Sequence, residues 1–289
     1  MDFSWDDLRL FLDVARLGGL SAARDTTGLS AATLGRRITA LERGIGEPLF
    51  VRSQTGFVLT RAGEALLERA EDVEAAIRSL AHWREGAIGA RVVRVSAGAW
   101  TTDFLARHME QIWSPRDGYR VEFVTAYEKV DIGRRAADIG LRSERPSEPG
   151  LAGRRLGAVA HALYGVPRLE GGVRDGLFVG VTGPGAAIAS ARWLMAHHGD
   201  RIVVRGNDMH SVRELVAAGA GITVLPCFVG DSDPRLHRMA RPIAELASEQ
   251  WLVMHHEERH SPPVRAIADK IGALMTRHAA LFSGELPRS

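Results

Sequence analysis

Arg36 and Arg37 follow Ser30 within one helical pattern, and Arg43 continues it. A guanidinium is a planar fork of donors that makes two bonds to N7 and O6 of a guanine or grips a phosphate. Helical spacing puts Leu34, Ile38 and Leu41 on one face and Thr33, Arg36, Arg37 and Ala40 on the other. One stripe suits a core and the other suits a partner. Arg36, in the first turns, is the candidate for base readout, while Arg37, Thr39 and Arg43 suit phosphates. Ala31, Ala32 and Thr33 offer methyl groups to thymine. Ser21, Thr33, Arg52 and Ser53 suit backbone phosphates, which fix register without reading sequence, and Ser30 and Thr55 complete the candidate DNA-binding set. An ordinary solvent-facing role stays open for each of these side chains.

Those residues need a scaffold. Ser4, with Asp7 three positions on, caps a first helix carrying Leu8, Phe11, Leu12 and Ala15 and ending at Gly18-Gly19. Ser21 caps a short second helix that stops near Gly28, and Ser30 caps a third running to about Gly44. Two helices this short must pack on the first helix and on the apolar part of residues 47–59, which reads as strand, Gly56 turn, strand. The expected unit is a winged helix-turn-helix over residues 1–59 whose third helix enters a groove of double-stranded DNA.

From Thr60 a long helical pattern sets Leu66, Ala70, Val73, Ile77 and Leu80 at alternating steps of four and three. Such a seam asks for a second copy of the helix, and ~25 residues at ~1.5 Å each give a rod of nearly ~40 Å. An amphipathic helix lying on its own domain is the alternative. Residues 60–90 are the expected linker, dimerisation helix and hinge.

Beyond residue 90 the pattern alternates strand and helix, the mark of α/β layers with parallel strands. Strands are expected at VVRVSAGA, YRVEFVTA and residues 138–141, then, after a Pro/Ser/Gly-rich loop, at residues 177–181, 201–205 and 221–225, with a last strand at 251–255. Residues 91–289 are expected to form two lobes around a cleft, one of about 91–160 with 256–289 and one of about 161–255. Trp100, Thr101 and Thr102 stand where a strand gives way to a helix, and free N–H groups there with two hydroxyls favour a carboxylate. Thr125, Arg142, Thr182 and Asn207 end strands or follow them and are candidates for the same cleft. Trp100 either stacks on an aromatic ligand or fills the space.

Composition narrows the function classes. The 289 residues are 45 % hydrophobic and 25 % charged, with a net charge of +2. That is an ordinary globular balance, too neutral to argue for nucleic acid alone. Residues 20–61, however, hold six arginines against three acids, whereas residues 1–19 hold four acids and two arginines. No apolar run approaches the ~18 residues of a membrane span, so no membrane role and a cytoplasmic address are expected. The single cysteine, Cys227, suits a reducing compartment and excludes an internal disulfide. The pairs His197-His198 and His255-His256 diverge on a helix or strand, and no metal or other cofactor is expected. Neither a nucleophile elbow nor a phosphate-binding loop points to an enzyme.

Together the N-terminal residues resemble the LysR-type transcriptional regulators. That family commonly reads S-x-x-x-L-S-R-x-I-x-x-L-E, then L-F-x-R, then G-x-x-L-T-x-A-G. Here stand Ser30, Leu34, Arg36, Ile38, Leu41 and Glu42, then Leu49, Phe50 and Arg52, then Gly56, Leu59, Thr60, Ala62 and Gly63. Arg205-Gly206-Asn207-Asp208, AAGAGITVLP at 217–226 and the C-terminal segment extend the resemblance over nearly the whole chain. The resemblance implies a homo-dimer or tetramer that binds DNA, with a small-molecule effector in a two-lobed domain similar to periplasmic binding proteins. It also makes Trp100-Thr101-Thr102 the effector position. Ala31-Ala32, Gly35 and Thr55 depart from the family pattern and point to a changed operator preference. The rival reading is a ligand-binding protein or enzyme whose N-terminal segment only dimerises.

Overall fold

Ser4 begins the first helix as a reciprocal cap: its hydroxyl accepts the Asp7 N–H while the Asp7 carboxylate accepts the Ser4 N–H at 3.0 Å. The computed structural model describes residues 3–53, 56–88, 90–125, 132, 137–148, 150–167, 172–256 and 258–285. The chain divides into two compact units, Met1–Arg84 and Glu85–Ser289.

The first unit contains α1 (Trp5–Leu17), α2 (Leu20–Thr27), α3 (Ala31–Ile45), an antiparallel wing of β1 (Phe50–Ser53) and β2 (Gly56–Leu59), and most of α4 (Arg61–Ile88). Gly18, Gly28 and Gly46 end the first three helices with positive φ, the left-handed conformation that costs glycine least. Phe11, Leu12, Leu34, Ile38, Leu41, Leu49 and Phe50 form the core, with Phe11 and Phe50 ring centroids 5.3 Å apart. Arg16 makes two bonds to the Glu74 carboxylate, at 3.2 and 2.8 Å, tying α1 to α4.

Two expectations change here. Gly19, not Ser21, is the N-cap of α2, and Ser21 lies exposed inside the helix, because the chain leaves Gly18 directly into the next turn. The five-residue seam also splits. Ala70 is 1 % exposed within the unit's own core and Leu66 packs beside it, so Ala70 is not available to a second copy. Val73, Ile77 and Leu80 are exposed large apolar side chains.

The second unit opens with β3 (Arg91–Ala97), α5 (Ala99–Arg107), α6 (Met109–Ile112), β4 (Tyr119–Thr125), β5 (Ile139–Arg142), β6 (Leu151–Val159) and β7 (His161–Gly165). It continues with α7 (Gly172–Asp175), β8 (Phe178–Val181), α8 (Ala189–His198), β9 (Ile202–Gly206), α9 (Met209–Ala217), β10 (Thr223–Pro226) and α10 (Cys227–Gly230). β11 (His237–Arg238), β12 (Ser248–His255), α11 (Pro262–Arg277) and α12 (Ala279–Phe282) complete it. The large sheet runs β4-β3-β5-β12-β6; β3 is parallel to β4 and β5, and β12 is antiparallel to β5 and β6. Ser248–His255 therefore joins the first sheet rather than the second lobe to which residues 161–255 were assigned. A second region holds β10-β7-β11 and the parallel pair β8-β9. β6 and β7 went unpredicted.

Candidate nucleic-acid interface and ligand cavity

Ser30 caps α3 by accepting the Thr33 N–H, and its hydroxyl also lies 2.9 Å from that of Thr33. Leu34, Ile38 and Leu41 are buried at 0, 3 and 1 % exposure, which turns Arg36, Arg37, Thr39, Ala40 and Arg43 outward. Ala32 is exposed; Ala31 and Thr33 are half-buried. Arg36 has no hydrogen bond or ion pair among the described residues, so its five donors are unspent. Arg37 differs: its Nε donates to Asp7 Oδ1 at 2.5 Å, so a phosphate would compete with an existing ion pair. That pair, together with the Ser4 bonds, holds the Asp7 carboxyl below its ordinary value against the opposing effect of burial.

Two motif residues serve geometry instead of contact. Glu42 Oε1 accepts the N–H groups of Leu49 at 2.8 Å and Phe50 at 3.3 Å, fastening the wing to the back of α3. Gly63 lies so close to the wing that a Cβ there would stand 2.2 Å from the Leu49 carbonyl oxygen. Gly35 is not demanded by space, since a Cβ would meet only Leu20 at 3.4 Å. The side chains of Arg52 and Ser53 and the whole of Thr55 lie outside the described residues.

The second unit carries a partly open cavity of about 250 Å³ at the start of α5. Gly98 precedes that helix with no side-chain cap, and Thr102 N–H is the first to reach back, to Gly98 O at 2.9 Å. The N–H groups of the first turn therefore face the cavity end unspent. Trp100 and Thr101 line it, together with Ser143, His161, Pro226, Phe228 and the β12 segment Ser248, Glu249, Gln250.

The other five predicted contacts do not line this cavity. The Thr125 hydroxyl donates to that of Thr102 at 3.2 Å, pairing the two with each other. Arg142 turns its guanidinium to Ser96, donating to its carbonyl and its hydroxyl at 3.3 Å each, and burial lowers its pKa. Thr182 donates its hydroxyl to Gly206 O at 3.1 Å, and Asn207 is exposed. A strand end locates a residue but leaves its side-chain direction open.

Trp100 is 8 % exposed, with its ring 4.8 Å from that of His210 and the Arg213 guanidinium 5.5 Å from its centre. Its Nε1 is buried without a partner among the described residues. Trp100 and Phe228 also line a second cavity of about 160 Å³, so they form a partition between the two.

His161 was missed by sequence reasoning, because it opens the unpredicted β7. Its Nδ1 lies 3.1 Å from Leu246 O, a carbonyl that can only accept, so Nδ1 carries the proton. Burial pushes its pKa down to about 4, leaving a neutral ring. Cys227 is buried, and burial raises its thiol pKa, the reverse of what a reactive thiolate needs.

Comparison with known proteins agrees across both units. Residues 5–64 match the family described as bacterial regulatory helix-turn-helix protein, lysR family, and residues 90–275 match the LysR substrate binding domain. The Mau operon transcriptional activator of Paracoccus denitrificans is 24 % identical over 286 residues, covering 92 % of this chain and 94 % of the relative. The HTH-type transcriptional regulator CbbR of Sinorhizobium medicae is 25 % identical, covering 89 % and 88 %. Among solved structures, full-length LysG from Corynebacterium glutamicum with bound effector Arg superposes with a TM-score of 0.52 at 17 % identity, covering 95 % of this chain and 99 % of that one. A full-length OxyR variant from Pseudomonas aeruginosa gives 0.55 at 16 %, covering 98 % and 97 %. At these identities the structures establish the shared fold.

Proposed function

The chain belongs to the LysR family of transcriptional regulators, with a helix-turn-helix DNA-binding unit and a substrate-binding unit, and from that premise we propose how its residues divide the work. Arg36 reads a base edge in the major groove. Ser21, Ser30, Arg37, Arg43, Arg52, Ser53 and Thr55 meet phosphates, and Ala31, Ala32 and Thr33 meet thymine methyls. The observation that carries this assignment is the outward, unpaired Arg36 on a helix whose opposite face is buried.

Val73, Ile77 and Leu80 are the proposed seam of a homo-dimer, which presents two reading heads to an inverted repeat; a dimer of dimers would extend this to a tetramer. A small anion bound at the α5 N-terminus modulates operator binding by preferring one arrangement of the assembly over the other. We assign no catalytic step, and the site of action is the cytoplasm, where the DNA lies.

A gel shift on the DNA upstream of the protein's own gene tests this. Sequence-selective retention that weakens with salt is expected. Absence of retention at low salt would favour a ligand-binding protein whose N-terminal unit only dimerises.

A further inference from the structure

Within the α5 cavity the charges are placed in an unexpected way for an anion site. Among the described residues no arginine or lysine lines it. The charged residue of the lining is Glu249, whose carboxylate is already bound to Arg155 Nε at 2.5 Å and to the Trp251 indole N–H at 2.9 Å. Among the described residues α5, α9, β10 and α10 contribute no charged side chain to the wall. What remains for a ligand is the unspent N–H groups of the α5 first turn, the hydroxyls of Thr101, Ser143 and Ser248, the Gln250 amide beyond its bond to the Arg142 carbonyl, and His161.

The His161 ring decides the class of ligand. Leu246 O holds the Nδ1 proton, so the polar atom left to the ring, which lines the cavity, is Nε2 with its lone pair. That atom has no partner among the described residues. An acceptor in a confined wall is satisfied only by a donor, and leaving it unpaired on ligand binding would cost affinity. We infer that the cavity takes a small carboxylic acid carrying a hydroxyl or amine, its carboxylate at the α5 N-terminus and its donor on His161 Nε2. The volume of about 250 Å³ suits such a molecule, since ~150 Å³ already holds a benzene ring. This rests on the effector-cavity reading above.

The test uses the full-length protein and matched acids: lactate and alanine against propanoate, and 2-hydroxybenzoate and 2-aminobenzoate against benzoate, followed by titration calorimetry from pH 6 to 8. At least one donor-bearing acid is expected to bind tenfold or more tightly than its plain partner, with affinity flat over this pH range. The hydroxyl and amine arms identify the donor. His161→Leu should bring the members of that pair within twofold of each other, and His161→Gln, which restores an acceptor, should recover part of the difference. Equal binding within every pair, no binding by any acid, or affinity rising tenfold per unit fall in pH would overturn the inference; the last would mean a protonated His161 pairing with the carboxylate. With a parent that shifts its operator, equal binding within every pair or the pH-dependent result sinks this inference alone, and no binding by any acid sinks the effector-cavity reading with it; loss of the operator shift sinks the DNA-binding assignment.

Discussion

Glu42 Oε1 stands 2.8 Å from the Leu49 nitrogen, and this single carboxylate sets the wing against the recognition helix. Glu42→Ala leaves the N–H groups of two buried residues unpaired, a loss of about 2 kcal/mol. Glu42→Gln keeps an acceptor and should retain most of the stability. Urea denaturation of the two variants checks the difference; equal midpoints for Glu42→Ala and the parent would contradict it.

Gly63→Ala forces a methyl onto the Leu49 carbonyl that closes the same joint. The wing must move or α4 must shift, and about 1 to 3 kcal/mol of destabilisation is expected. A thermal melt measures it, with Gly35→Ala as the control. There a methyl makes only an ordinary contact with Leu20, and alanine should stabilise the helix by about 1 kcal/mol.

The α4 seam is testable by charge. Ile77→Asp with Leu80→Asp buries two carboxylates if these side chains meet a second copy, and sedimentation should show the assembly falling toward monomers. Ala70→Asp should unfold the first unit instead, because Ala70 lies in its core.

These residues also show what a linear pattern conveys. Ser4, Asp7, Ser30 and the glycines ending α1 and α2 act on their own helix termini, so their roles were legible from neighbours in the chain, whereas α3 runs past Gly44 and is capped by Gly46. Ala70 and Val73 share a heptad face yet differ in burial, because the first unit's core reaches only as far as the former. β6 was hidden because Gly153, Arg154, Arg155 and Gly157 break the apolar alternation of an edge strand. β12 was misplaced because its partners lie about a hundred residues away. The cavity draws on α5, β7, β10, α10 and β12, and no local spacing encodes that meeting. His161 could have been found only through its tie to Leu246.

Folding stability should carry a mark of His161. Its folded pKa of about 4 lies below the ordinary 6.5, so the unfolded chain binds the proton first. The His161 contribution is complete above pH 6.5 and is lost as pH falls from there toward 4, by up to tenfold in the folding equilibrium per unit. His161→Gln should flatten the stability profile in that window. An unchanged slope would remove His161 as its source.

Trp100→Ala joins the two cavities that the indole separates. Loss of about 3 to 5 kcal/mol is expected in thermal or urea unfolding of the full chain. A loss under 1 kcal/mol would mean that the indole is not part of the core.

The most direct measurement of the central claim is the affinity of Arg36→Ala for the mapped operator and for a scrambled duplex, each titrated across salt. Exposed and unpaired, Arg36 can be cut back with stability unchanged within about 0.5 kcal/mol. Operator affinity should fall by about 1 to 3 kcal/mol while scrambled DNA is held nearly as before. Parental affinity and selectivity in this variant would contradict the claim that Arg36 reads a base.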